Sequence, residues 1–222
     1  MEENQNLKII LLGNSNAGKT SLIIKFKTDR FSTDSVNTIG IDLNMEKNVK
    51  INNQLYDIAI WDTAGQEIYI KMVKFSAKDA NTAMICFDLS ESNSLENVAT
   101  WIQLLREEGP QNIQIIIIGT KKDLPTKYTQ EQLQQVQNAW KANFNYDFPM
   151  LLTSSKTGEG LKEAFQTAFE LGAKAKQDST IQQDYTSQIK QQPQNQKVIA
   201  LISNTTTPKG SELNPKSESS CC

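Results

Sequence analysis

The sequence predicts an α/β fold: a six-stranded, mostly parallel sheet with one antiparallel edge strand and helices on both faces. Three observations carry this. From Leu7 to about Leu171, short apolar runs alternate with segments whose apolar residues recur at helical spacing, the pattern of parallel strands crossed over by helices. Two strand-like runs, 42–50 and 54–61, meet through a turn at Asn52-Asn53, and so short a connection joins only antiparallel neighbours. The first apolar run, LKIILL (7–12), passes through GNSNAGKT into the amphipathic SLIIKF (21–26). Gly and Asn suit that strand-to-helix turn.

The remaining elements follow in order. TAMICFDL (82–89) reads as a strand, 94–107 as a helix, IQIIIIG (113–119) as a strand and 130–143 as a helix. PMLLTS (149–154) and a helix from about Gly160 to Leu171 complete the series. Asn93 with Glu96, and Thr129 with Gln132, have the spacing of helix capping boxes. Residues 1–6 read as a short extension and 7–172 as one domain. From about Ala173 the chain turns rich in Gln, Ser, Thr and Pro, a composition expected to stay disordered to residue 222. Within it only VIALI (198–202) is apolar, either a grip for an escort protein or an unremarkable cluster.

Composition excludes several classes. The 23 basic residues against 25 acidic ones leave a net charge of −2, so no nucleic-acid footprint is present. MEENQN at the N-terminus lacks the basic and apolar character of a signal peptide, and no apolar run approaches the roughly 20 residues of a membrane span. Of three cysteines two are the last residues, which makes a disulfide framework implausible and an intracellular setting expected.

Gly13, four residues, then Gly18-Lys19-Thr20 matches the phosphate-binding spacing G-x-x-x-x-G-K-[ST]. Backbone N–H groups of such a loop cradle phosphate, although an ordinary turn also uses Gly and Asn. In WDTAG (61–65), Asp62 is placed to anchor a water on Mg²⁺, and Gly65 offers an unobstructed N–H to a terminal phosphate. Gln66 follows, with an amide able to orient an attacking water; as a bare string DTAGQ also fits a polar turn. TKKD (120–123) and TSSK (153–156) close two strands on the rim where open α/β sheets bind ligands. There Asp123 can accept paired hydrogen bonds from guanine, which adenine cannot offer, and the stem of Lys121 can lie over a purine face. Each string alone is equally a solvated loop. Thr38, in NTIGID, is either a strand-start threonine or a further metal ligand.

Together these residues resemble the Ras superfamily of small GTPases, most closely its Rab branch, over roughly Leu7 to Leu171. TIGID resembles the first Rab switch, IWDTAGQE the second, and Cys221-Cys222 the double lipidation signal. The resemblance implies a P-loop GTPase domain that binds GTP through Gly13, Asn14, Ser15, Asn16, Ala17, Gly18, Lys19, Thr20 and Ser21. It adds Phe31 at the guanine edge, Thr38 and Gly65 at the γ-phosphate, and Thr120, Lys121, Asp123, Ser154, Ser155 and Lys156 around the base. Mg²⁺ is implied on Thr20 and Thr38, with Asp62 acting through water, and Gln66 positions the hydrolytic water.

The implied activity is a GTPase cycling between GDP and GTP forms and recruiting effectors in vesicle trafficking; the alternative is a Rab-like scaffold with little or no hydrolysis. A P-loop ATPase or kinase has no use for Asp123. Implied partners are an exchange factor, a GTPase-activating protein, a prenyl transferase with its escort, a GDP-dissociation inhibitor and effectors, with no nucleic acid. The implied location is the cytoplasmic face of an intracellular membrane, held by lipid on Cys221 and Cys222, with a cytosolic pool. Several residues depart from the Rab pattern. Thr120 replaces the usual Asn, as in Rho proteins; Ser155 replaces alanine; and IYIKMVKFSAKDA lacks the arginine and paired tyrosines common in second switches. The only arginines are Arg30 and Arg106, neither two residues before Thr38, so slow intrinsic hydrolysis is expected.

Overall fold

The computed structural model describes residues 4–32, 38–64 and 70–190. The chain runs β1 (Gln5–Leu12), α1 (Lys19–Thr28), β2 (Ile41–Ile51), β3 (Gln54–Thr63), α2 (Ile70–Ala77), β4 (Thr82–Asp88) and α3 (Glu96–Glu108). It continues through β5 (Gln114–Thr120), α4 (Gln130–Phe144), β6 (Met150–Leu152) and α5 (Leu161–Lys190). The strands make one six-stranded sheet in the order β2-β3-β1-β4-β5-β6. Only β2 and β3 pair antiparallel; the other neighbours are parallel. Asn52 and Asn53 turn that hairpin with φ of 47° and 69°, the positive pair a two-residue turn needs to match strand twist.

Successive side chains of a strand point to opposite faces, and each central strand feeds two cores. Leu7, Ile9 and Leu11 of β1 pack with Leu22 of α1 and with Phe165 and Phe169 of α5. Ile10 and Leu12 pack on the other face with Ala77 of α2, Ile102 of α3 and Trp140 of α4. The same division puts Ile116 and Ile118 of β5 on one face and Ile115 and Ile117 on the other. Chain direction matters most at β1, which lies between β3 and β4. The order reverses there, so the loop leaving β1 opens into the crevice where such sheets take ligands.

Four local expectations differ from the structure. β1 starts at Gln5, inside the segment read as an extension. Helix α2 occupies a segment to which the sequence pattern assigns no element; it is tied to α3 by Lys74 and Glu108 at 2.6 Å. Asn93 is not the N-cap of α3: Leu95 holds that position in helical conformation with no side-chain cap, and Ser94 instead accepts the Asp88 N–H at 2.7 Å. The Thr129–Gln132 box at α4 forms as its spacing predicts. Helix α5 runs past Leu171 to Lys190. No glycine or proline interrupts GAKAKQ after Gly172, and the small Ala173 and Ala175 are buried, which carries the packed face further. Lys176 donates to the Asn6 carbonyl at 2.6 Å. Residues Met1–Thr180 form one compact unit and a second begins at Ile181, whose described part is the end of α5.

Candidate active site

The loop after β1 is shaped for an anion. Gly13 has φ 133°, and a Cβ there would sit 2.1 Å from the Cys86 carbonyl oxygen of β4, so no side chain fits. Gly18, with φ 81°, opens α1 without a side-chain cap, and no acid lies in the first turn. The N–H groups of that turn and its positive dipole end are left for a ligand. Asn14 is half-buried, Ser15 and Asn16 are exposed, Ala17 is buried, and Ser21 follows half-buried in α1. Lys19 is only 5% exposed. Its ammonium donates to the carbonyls of Gly13 at 2.7 Å and Asn14 at 2.8 Å. Burial lowers its proton affinity, with the nearby Asp62 and Cys86 pulling the other way.

Beside Lys19, the start of α1, the segment before β2 and the end of β3 bring together a second set of groups. Thr20 donates to Asp62 Oδ2 at 2.6 Å, Thr38 donates to the same oxygen at 3.1 Å, and the two hydroxyls lie 2.7 Å apart. These residues are distant in sequence; β3 brings Asp62 to the rim, and the Ala64 N–H to Gly40 carbonyl bond at 2.9 Å ties the hairpin entrance to its exit. Asp62 is 1% exposed, and its Oδ1 has no hydrogen-bond partner among the described residues. Burial raises its pKa, opposed by the two threonine bonds and by Lys19. A buried carboxylate with one unpartnered oxygen beside two hydroxyls is an all-oxygen set suited to a hard divalent cation. No cluster of His, Cys, Asp and Glu of metal-binding type occurs among the described residues.

The far end of the rim comes from β5 and β6. Thr120, 1% exposed, places its hydroxyl 2.9 Å from the Ala17 carbonyl and 3.0 Å from the Phe87 carbonyl. Its bond to Ala17 ties the loop that follows β5 to the loop that follows β1. Ser154 donates to Asp123 Oδ1 at 2.6 Å, and the Lys122 N–H bonds the Thr153 carbonyl at 3.0 Å. The carboxylate of Asp123 is therefore oriented by the neighbouring loop. Ser155 is buried and Lys156 exposed. Lys121, at φ 59°, pairs with Asp88 at 2.6 Å. Burial alone pushes Asp88 up, but Lys121 and Ser90 together hold it below the usual carboxylate range.

The structure thus brings together fourteen expected residues, from Gly13 through Thr20 with Thr38, Asp62, Thr120, Lys121, Asp123 and Ser154. Phe31 is 41% exposed. Gly65, Gln66, Cys221, Cys222 and the cluster at 198–202 lie outside the described residues. Two participants carry no motif signal: Asp88, which holds Lys121, and Trp101 of α3, whose indole N–H donates to Asn14 Oδ1 at 3.1 Å. Arg106 lies over the rings of Tyr146 and Phe148, at 5.0 and 6.0 Å.

Comparison with known proteins agrees with this geometry. Residues 8–174 match the model of the Ras family. The chain is 33% identical over 160 residues to the GTP-binding protein ypt3 of Schizosaccharomyces pombe, covering 72% of each chain. It is 31% identical over 160 residues to the human Ras-related protein Rab-8B, covering 72% of this chain and 75% of that one. It is 31% identical over 162 residues to the Dictyostelium discoideum Ras-related protein Rab-11B, covering 73% and 71%.

Proposed function

The chain belongs to the Ras family of small GTPases and is most similar to its Rab members, and we propose that it is a Rab-like switch that binds GTP, hydrolyses it slowly to GDP and phosphate, and recruits effectors to a membrane. The observation that supports this best is the convergence of Thr20, Thr38 and Asp62 beside Lys19, with Asp123 oriented by Ser154.

In this reading Lys19 leaves the Gly13 and Asn14 carbonyls to meet the β and γ phosphates, while the N–H groups of residues 14–20 wrap them. Thr20 and Thr38 would hold Mg²⁺ directly and Asp62 through water, and the ion would supply positive charge against the charge that develops on the phosphates. Asp123 reads the guanine N–H donors and Lys121, steadied by Asp88, covers the ring. Gln66 orients the attacking water. With Arg106 committed to aromatic rings, a partner supplies the arginine that accelerates hydrolysis. Loss of the γ-phosphate releases Thr38 and the segment around Gln66, and with them the adjoining surface. There Ile39, Leu43 and Phe75 are exposed, Leu43 faces Trp61 across the hairpin, and Phe75 lies 6.1 Å from Trp61. An apolar patch of that kind suits a protein partner.

We assign the GTPase domain to the compact unit that ends at Thr180 and the chain beyond it to the tail, with prenyl groups on Cys221 and Cys222 as its membrane anchor. No helix among the described residues is long and apolar enough to cross a membrane. Exchange factor, activating protein, GDP-dissociation inhibitor and prenyl transferase with escort are the partners this cycle requires. The test is direct: nucleotide extracted from purified protein is identified, and a single-turnover assay follows bound GTP. Guanine nucleotide with slow, Mg²⁺-dependent hydrolysis supports the proposal. Adenine nucleotide, or GTP that stays intact even with activating proteins, refutes it.

A further inference from the structure

The motifs mark out the phosphate loop, yet its first turn is gripped by a residue that belongs to none of them. We propose that Trp101 is a positioning residue for nucleotide binding: its indole N–H holds Asn14, and through it the loop, in the shape that receives phosphate. The inference rests on the reading of this crevice as a guanine-nucleotide site.

Trp101 lies on the buried face of α3 with Val98, Ile102 and Leu105, and is 7% exposed. That packing fixes the ring, and an indole nitrogen can only donate, so the bond to Asn14 Oδ1 has one sense. Asn14 is also tied through its own carbonyl, which accepts from Lys19 at 2.8 Å and from the Ala17 N–H at 3.2 Å. When Lys19 swings to a phosphate, the Gly13 and Asn14 carbonyls lose it. The first turn of the loop then keeps the Ala17 bond and the Trp101 bond, with Ser15 and Asn16 exposed between. Thr120 pins the other end of the turn at the Ala17 carbonyl. Two rigid elements, α3 and β5, hold a short loop at both ends, and the Trp101 contact matters most once the lysine has moved. A phosphate loop held open in advance does not have to be ordered when the ligand arrives.

The test is a double-mutant cycle on the full-length Mg²⁺-loaded protein, with release of a fluorescent GDP and of a fluorescent non-hydrolysable GTP analogue as the readout. W101F keeps a ring in the core and removes the donor; N14A removes the acceptor from the other side. Each should speed release of both nucleotides about fivefold, the loss of one hydrogen bond, and the double mutant should be no faster than either single. Effects that multiply would overturn the proposal. A second measurement needs no nucleotide: the ¹⁵N-labelled indole proton of Trp101 should exchange slowly with solvent and faster in N14A, a variant that leaves the core untouched even if W101F folds poorly. An indole proton indifferent to N14A would also overturn it. Failure of the wild type to bind guanine nucleotide would instead sink the assignment of the crevice, a result easily told from the other two.

Discussion

Thr120→Val should release the phosphate loop from the base loop. The exchange keeps volume and β-branching, so β5 gains no cavity and loses no strand propensity. What disappears is one hydroxyl hydrogen placed between two buried carbonyls, Ala17 at 2.9 Å and Phe87 at 3.0 Å. A hydroxyl donates once, so one bond is lost, and a carbonyl it served is left stranded. Removing a partner from a buried polar group costs about 1–3 kcal/mol. For a protein of this size each kcal/mol lowers the melting temperature by about 2–4 °C. If the clamp matters equally to bound nucleotide, GDP should dissociate faster by a factor of roughly 5 to 150, since 1.4 kcal/mol is tenfold. Stopped-flow displacement of fluorescent GDP measures this beside a thermal melt. Thr120→Asn, which retains a donor long enough to reach the Ala17 carbonyl, should restore slow release. The reasoning fails if Thr120→Val melts lower but releases GDP at the wild-type rate, for then the hydroxyl serves β4 and not the loop.

Asp123→Asn should lower GTP affinity by roughly ten- to a hundredfold, the worth of charge-assisted hydrogen bonds, and shift preference towards xanthine nucleotide. Competition among GTP, ATP and XTP reads this, and an unaltered GTP preference would remove Asp123 from the base pocket. Asp88→Asn should flatten the acid side of the stability profile: with its pKa held low in the fold, Asp88 stabilises above the ordinary carboxylate range, and that contribution is lost as pH falls through the lowered value. Urea midpoints from pH 7 down to 3 should therefore converge for wild type and variant at the acid end; parallel curves would contradict it. Gln66→Leu should slow single-turnover hydrolysis, alone and with an activating protein, while Mg·GTP affinity stays near normal, and wild-type rates would exclude it as the water-positioning residue. Replacing Cys221 and Cys222 by serine should leave GTP binding intact and move the protein to the cytosol, because a lone lipid chain binds only marginally and none not at all. A double variant that still sediments with membranes places the anchor elsewhere.

What the linear chain determined is whatever depends on neighbours in sequence. The spacing of Gly13, Gly18, Lys19 and Thr20, the Asn52-Asn53 turn, the Thr129–Gln132 cap and the apolar run LKIILL are local, and the structure forms each of them. From the alternation of strands and helices followed the mostly parallel sheet, and from that the rim on which the motifs would meet. What tertiary structure decided is partner choice. Ser94 accepts the Asp88 N–H at the end of β4, and Asn93, which had the capping spacing, does not cap the helix. Ala173 and Ala175 look like the start of a polar tail until a surface is present to bury them. Thr120 reaches a carbonyl 103 residues away and Trp101 an amide 87 residues away. Such bonds depend on which strand lies beside which, and on how far a helix stands from a loop. Those distances exist only once both cores have closed around the sheet.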